Sequence, residues 1–126
     1  MRRKISTLLL IGFLVTCFSG SMAFANKSYV SIEAPESVMR GSEVTIKLNV
    51  MHNANSIFHY TKWVYVMING EEVARWDYTW RKRPESKNFT KEITYTVNEP
   101  IEIVAEASCN THGSEGKATH TVSIKE

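Results

Sequence analysis

The sequence predicts an all-β fold, an immunoglobulin-like β-sandwich of about seven antiparallel strands. Three observations carry that expectation. Seven short segments of alternating or β-branched character recur between residues 28 and 125, with turn-forming pieces between them. Asn69-Gly70 separates two of those segments by two residues that tolerate positive φ, the pattern of a tight hairpin. No stretch keeps an amphipathic helical period long enough to compete.

Residues 28–33 form the first predicted strand. The second, 42–52, is the clearest: Val44, Ile46, Leu48 and Val50 alternate with Glu43, Thr45, Lys47 and Asn49, as a half-buried strand requires. Strands at 59–68 and 71–79 flank the Asn69-Gly70 turn. Strands at 89–97 and 100–109 are separated by a turn that Asn98 and Pro100 mark. The last, 117–125, places Ala118, His120, Val122 and Ile124 on one face, taken as inward. Arg81-Lys82-Arg83-Pro84 reads as a solvated basic hairpin tip, and Trp63, Trp76 and Trp80 as core or rim packing. Asn88-Phe89-Thr90 matches a glycosylation sequon, a motif too common to use.

Ahead of these strands lies an address. Arg2-Arg3-Lys4 is a positive n-region, residues 8–18 an apolar run, and Ala23-Phe24-Ala25 an A-x-A cleavage pattern whose small side chains fit a signal peptidase. The run falls short of the roughly 20 residues of a membrane span. Residues 1–25 are therefore predicted to be a signal peptide and 26–126 one exported domain, periplasmic or secreted, with no membrane attachment after cleavage. Of the 126 residues, 15 are Lys or Arg and 13 Asp or Glu; three of those cations leave with the signal, which reduces the domain to 12 against 13. A nearly neutral domain has no electrostatic footprint for nucleic acid. The composition leaves a monomer and a homo-oligomer both open.

Cys17 also leaves with the signal, so Cys109 is the single cysteine of the domain. Exported small domains normally use cysteines in pairs, and a leftover one is an intermolecular partner, an inert buried thiol or a thiolate with a task. The inward alternation of the second strand continues from Val50 to His52. That of the sixth, through Ile101, Ile103, Ala105 and Ala107, continues to Cys109. His59 opens the third predicted strand and His112 lies three residues beyond Cys109. In this type of sandwich the loop after the second strand and the loop after the sixth share one end. His52, His59, Cys109 and His112 should therefore converge as a metal site. Imidazole and thiolate donors suit iron, zinc or copper, and not calcium or magnesium. A nucleophilic Cys109–His112 pair is the weaker rival, because no oxyanion-hole signal accompanies it. His120 is a core histidine bonded to backbone or a further donor; the bonded reading is preferred.

Cys109-Asn110-Thr111-His112-Gly113 resembles the C-N-x-H-G signature of desulfoferrodoxins and superoxide reductases. His59-Tyr60-Thr61-Lys62-Trp63-Val64 resembles that family's H-[HY]-[IT]-x-W-[IV] segment, and the likeness runs from about Tyr29 to His112. The resemblance implies a mononuclear non-haem Fe(II) centre with Cys109 as axial ligand and His52, His59 and His112 as equatorial ones. It implies superoxide as substrate, hydrogen peroxide as product, and an electron donor of unknown identity. The chain departs from the pattern near its start: Tyr29 stands about where the family has its first equatorial histidine, and the Glu-Lys pair before it is missing. Asn53 follows His52 where the family usually has Pro, and His52 and His59 are seven residues apart, one more than the family pattern leads one to expect. The implied function is an exported superoxide reductase-like oxidoreductase in which Cys109 is catalytic. The alternative is a non-catalytic sandwich that holds a metal such as zinc, or carries sulfur or a redox partner on Cys109.

Overall fold

Two sheets pack face to face in the computed structural model, which describes residues 26–126. The predicted signal peptide, residues 1–25, lies outside the described residues. In chain order the strands are β1 (Tyr29–Glu33), β2 (Ser37–Met39), β3 (Ser42–Met51), β4 (Thr61–Ile68), β5 (Glu71–Asp77), β6 (Asn88–Val97), β7 (Ile101–Cys109) and β8 (Ala118–Lys125). One sheet runs β1-β3-β6 and the other β2-β8-β7-β4-β5. Among the described residues no helix is long and apolar enough to cross a membrane.

The core follows the predicted alternation. Val44, Ile46, Leu48 and Val50 of β3 are buried, facing Val64, Val66 and Ile68 of β4 and Ile101, Ile103, Ala105 and Ala107 of β7. Burial of such aliphatic side chains stabilises by about 1.5–3 kcal/mol each, which holds the sheets together. Asn69 and Gly70 take φ of 50° and 84°, so the β4–β5 hairpin closes as the two-residue turn its sequence specifies.

Three details depart from the sequence reading. An eighth strand, β2, pairs in parallel with β8. Pro35, which has no N–H to donate, follows β1 and the chain crosses to the other sheet. The third predicted strand begins at Thr61 rather than His59, because neighbouring loops take up the backbone groups of residues 59 and 60. Arg81–Pro84 is not a hairpin tip, since β5 and β6 belong to different sheets and their connection passes between them.

Candidate metal centre

Cys109 is the last residue of β7, core-facing and 5% exposed. The loop after it is closed by backbone: Cys109 N donates to Gly113 O at 2.9 Å and Gly113 N to Cys109 O at 3.3 Å. Three residues are left to turn the chain, and Gly113 completes the turn at φ 81°, a conformation other residues rarely adopt. The turn folds over the sulfur. Thr111 N and His112 N both donate to Cys109 Sγ at 3.4 Å, and Thr111 Oγ1 lies 3.4 Å away. The C-N-T-H-G run thus supplies a sulfur donor, an imidazole three residues further round the turn, and the glycine that closes it.

The other donors arrive from the β3–β4 connection. His52 follows β3 directly and is 6% exposed, with its backbone N–H held by Asn88 Oδ1 at 3.2 Å. Burial first, then the charge of His59, lowers its pKa, so the ring is neutral and offers a lone pair. His59 is half-buried in the loop, its N–H bonded to Ser56 Oγ at 3.1 Å. His59 Nε2 stands 3.1 Å from His52 Nε2 and 3.1 Å from His112 Nδ1, and His112 Nδ1 lies 4.0 Å from Cys109 Sγ. The donor atoms of His52, His59 and Cys109 all fall within 4.8 Å of one another.

This arrangement fits a transition ion. Imidazole nitrogens bound to one ion at about 2.0–2.1 Å must sit roughly 3 Å apart, close to the spacing seen. Nitrogen and thiolate donors select iron, zinc or copper over hard oxygen-seeking ions. The set His52, His59 and Cys109 contains no carboxylate. His112 is exposed, so the centre is open to solvent on its side.

His120 is not in the cluster. It lies on the inward face of β8, paired with Ile103, and its Nε2 donates to Pro35 O at 3.0 Å. Tyr29 does not point to the donors either: it pairs with Met51 on the outer face of β1 and is 43% exposed. The inward position at that strand end is Ser28, fully buried, its Oγ bonded to Thr61 Oγ1 at 2.8 Å. Thr61 in turn faces Cys109 across β4 and β7, where a β-bulge between Thr61 and Trp63 shifts the register. Ser28, Thr61, Asn88 and Ser56 were invisible as site residues in the sequence, because hydroxyls and amides reveal their partners only after folding. Trp76 packs on the core, Trp63 stacks on Tyr65, and Trp80 is exposed beside Ile57 and Phe58, which with Tyr60 line an apolar groove next to His59.

A two-sheet sandwich with imidazole and thiolate donors gathered at one rim is the build of a His/Cys metal-binding domain. The chain belongs to the desulfoferrodoxin family: the Desulfoferrodoxin family model matches residues 21–115. Its fold is similar to that of a superoxide reductase (neelaredoxin) from Ignicoccus hospitalis, at 18% identity and TM-score 0.66, covering 79% of this chain and 82% of that one. A Thermotoga maritima protein assigned to the superoxide reductases is similar at 22% identity and TM-score 0.59, covering 78% and 86%. The sulfur carrier protein SoxY from Chlorobium limicola shares the fold at 14% identity and TM-score 0.54, covering 77% and 79%. No curated protein matches the chain in sequence.

Proposed function

We propose that the chain is exported through residues 1–25 and acts, periplasmic or secreted, as a mononuclear non-haem iron protein that reduces superoxide to hydrogen peroxide. The observation that carries this reading is the convergence of Cys109 Sγ with the imidazole nitrogens of His52, His59 and His112. Family membership supports it. Superoxide gains one electron and two protons to leave as hydrogen peroxide. An Fe(II) ion held by these four side chains would supply that electron, and an external donor would restore it.

The residues do the rest. Cys109 offers the sulfur donor, the N–H groups of Thr111 and His112 fix its position at 3.4 Å, and the core shields it from solvent oxidants. Neutral His52 presents its Nε2 to His59 Nε2 at 3.1 Å. The exposed side at His112 admits a small anion and water, and water supplies the protons.

The test is the protein purified from an iron-supplied host. Expected are about one iron per chain, a visible thiolate-to-iron charge-transfer band after oxidation, and consumption of superoxide. Cys109→Ser should lose the band and most of the superoxide consumption. Iron-free protein of undiminished stability, with neither band nor superoxide consumption, overturns the reading. A closed, non-catalytic zinc site is the second reading, favoured by the donor count of four, which is that of structural zinc centres. Tight zinc without redox activity selects it.

A further inference from the structure

We propose that Asn110 is the positioning residue that locks the two halves of the centre in register. The proposal rests on the metal-site reading above. One half, Cys109 and His112, sits at the end of β7 and on the turn after it; the other, His52 and His59, on the β3–β4 connection. Asn110 touches the second half on both sides of His59. Its Nδ2 donates to Phe58 O at 3.1 Å and its Oδ1 accepts from Tyr60 N at 3.0 Å. Its backbone N–H donates to Tyr60 O at 3.0 Å. The amide thus spans the backbone of His59 and satisfies the groups that would otherwise have extended β4.

Among the described residues the only other hydrogen bond between these two loops is the contact of His59 Nε2 with His112 Nδ1. An ion held by His59 and His112 would take both of those nitrogens, and the contact would no longer serve as a tether. Asn110 then supplies every remaining hydrogen bond between the loops, two of them through its side chain. A side chain that fixes the orientation of metal-binding residues typically changes affinity by about 10–100-fold when removed.

The probe is Co(II), titrated into the metal-free full domain as wild type, Asn110→Ala and Asn110→Asp, with Zn(II) competition for affinity and visible spectra for geometry. Asn110→Ala is expected to bind Co(II) about 10–100-fold more weakly, with a shifted thiolate-to-cobalt band. Metal-free stability should change far less, because the backbone bond to Tyr60 O remains. Asn110→Asp keeps the acceptor for Tyr60 N–H and loses the donor to Phe58 O, so it should recover part of the affinity and stay folded should the alanine variant not. Faster amide exchange at Tyr60 in Asn110→Ala alone would agree. Wild-type affinity and spectrum in both variants overturn the proposal, as does a loss of metal-free stability as large as the loss of affinity. Failure of the wild type itself to bind Co(II) or Zn(II) overturns the metal-site reading, and the proposal with it.

Discussion

Tyr78 shows how one buried group couples the fold to pH. Its ring packs edge-on against Phe89, and its hydroxyl is buried with no hydrogen-bond partner among the described residues. Burial, then the nearby Glu85 carboxylate, pushes the phenol up to about 12. The folded state therefore favours the neutral form, while the unfolded chain ionises near 10. Stability is unaffected below about pH 10 and falls as the pH rises from there toward 12. Tyr65, raised to about 12 by burial and by its bond to Glu106, contributes in the same direction. Tyr78→Phe removes an unsatisfied hydroxyl, so it should be neutral or stabilising by up to about 1 kcal/mol at pH 7 and should flatten part of the alkaline loss. Denaturant melts at pH 8, 10 and 11 measure both. At this scale the donors were legible because strand alternation carries an inward face to His52 and Cys109, whatever the rest of the chain does. The non-donor neighbours were not. Tyr29 stands about where the family pattern has a histidine, whereas the pleat puts its neighbour Ser28 inside.

Among the elements, β7 bears most on the centre, because its buried face runs unbroken from Ile101 to Cys109. Ile103, fully buried between β4 and β8, is the second residue of that run. Ile103→Ala should cost about 2–5 kcal/mol, a large part of the 5–15 kcal/mol expected for a whole domain. A thermal melt checks it, and an unchanged melting temperature would mean that β7 does not anchor the core as described. Seven of the eight strands could be read from sequence because their alternation or hairpin chemistry is local. β2 could not: three residues carry no period, and its parallel pairing with β8 depends on a partner more than 80 residues away. The start of β4 was misread for a related reason, since Asn110 claims the backbone of Tyr60 from across the molecule.

For the whole molecule, the donors come from both sheets. His52 extends β3 of the smaller sheet, Cys109 ends β7 of the larger, and His59 lies on the chain that crosses between them. An ion bound there fastens one sheet to the other. Stability should rise with free metal by mass action, by about 2.7 kcal/mol at a hundredfold excess over Kd. Melting curves with and without Zn(II), reversed by a chelator and blunted in Cys109→Ser, test that linkage. Cys109 and His112 share one short run and His52 and His59 another, but the two pairs lie far apart in sequence, so an unfolded chain presents no assembled four-donor centre. The full four-donor centre exists only once the sheets have closed. For a chain exported as proposed, the choice of ion is then made by whatever the destination compartment offers at the moment of folding, and the metal pools of the cell interior where the chain was made have no say in it.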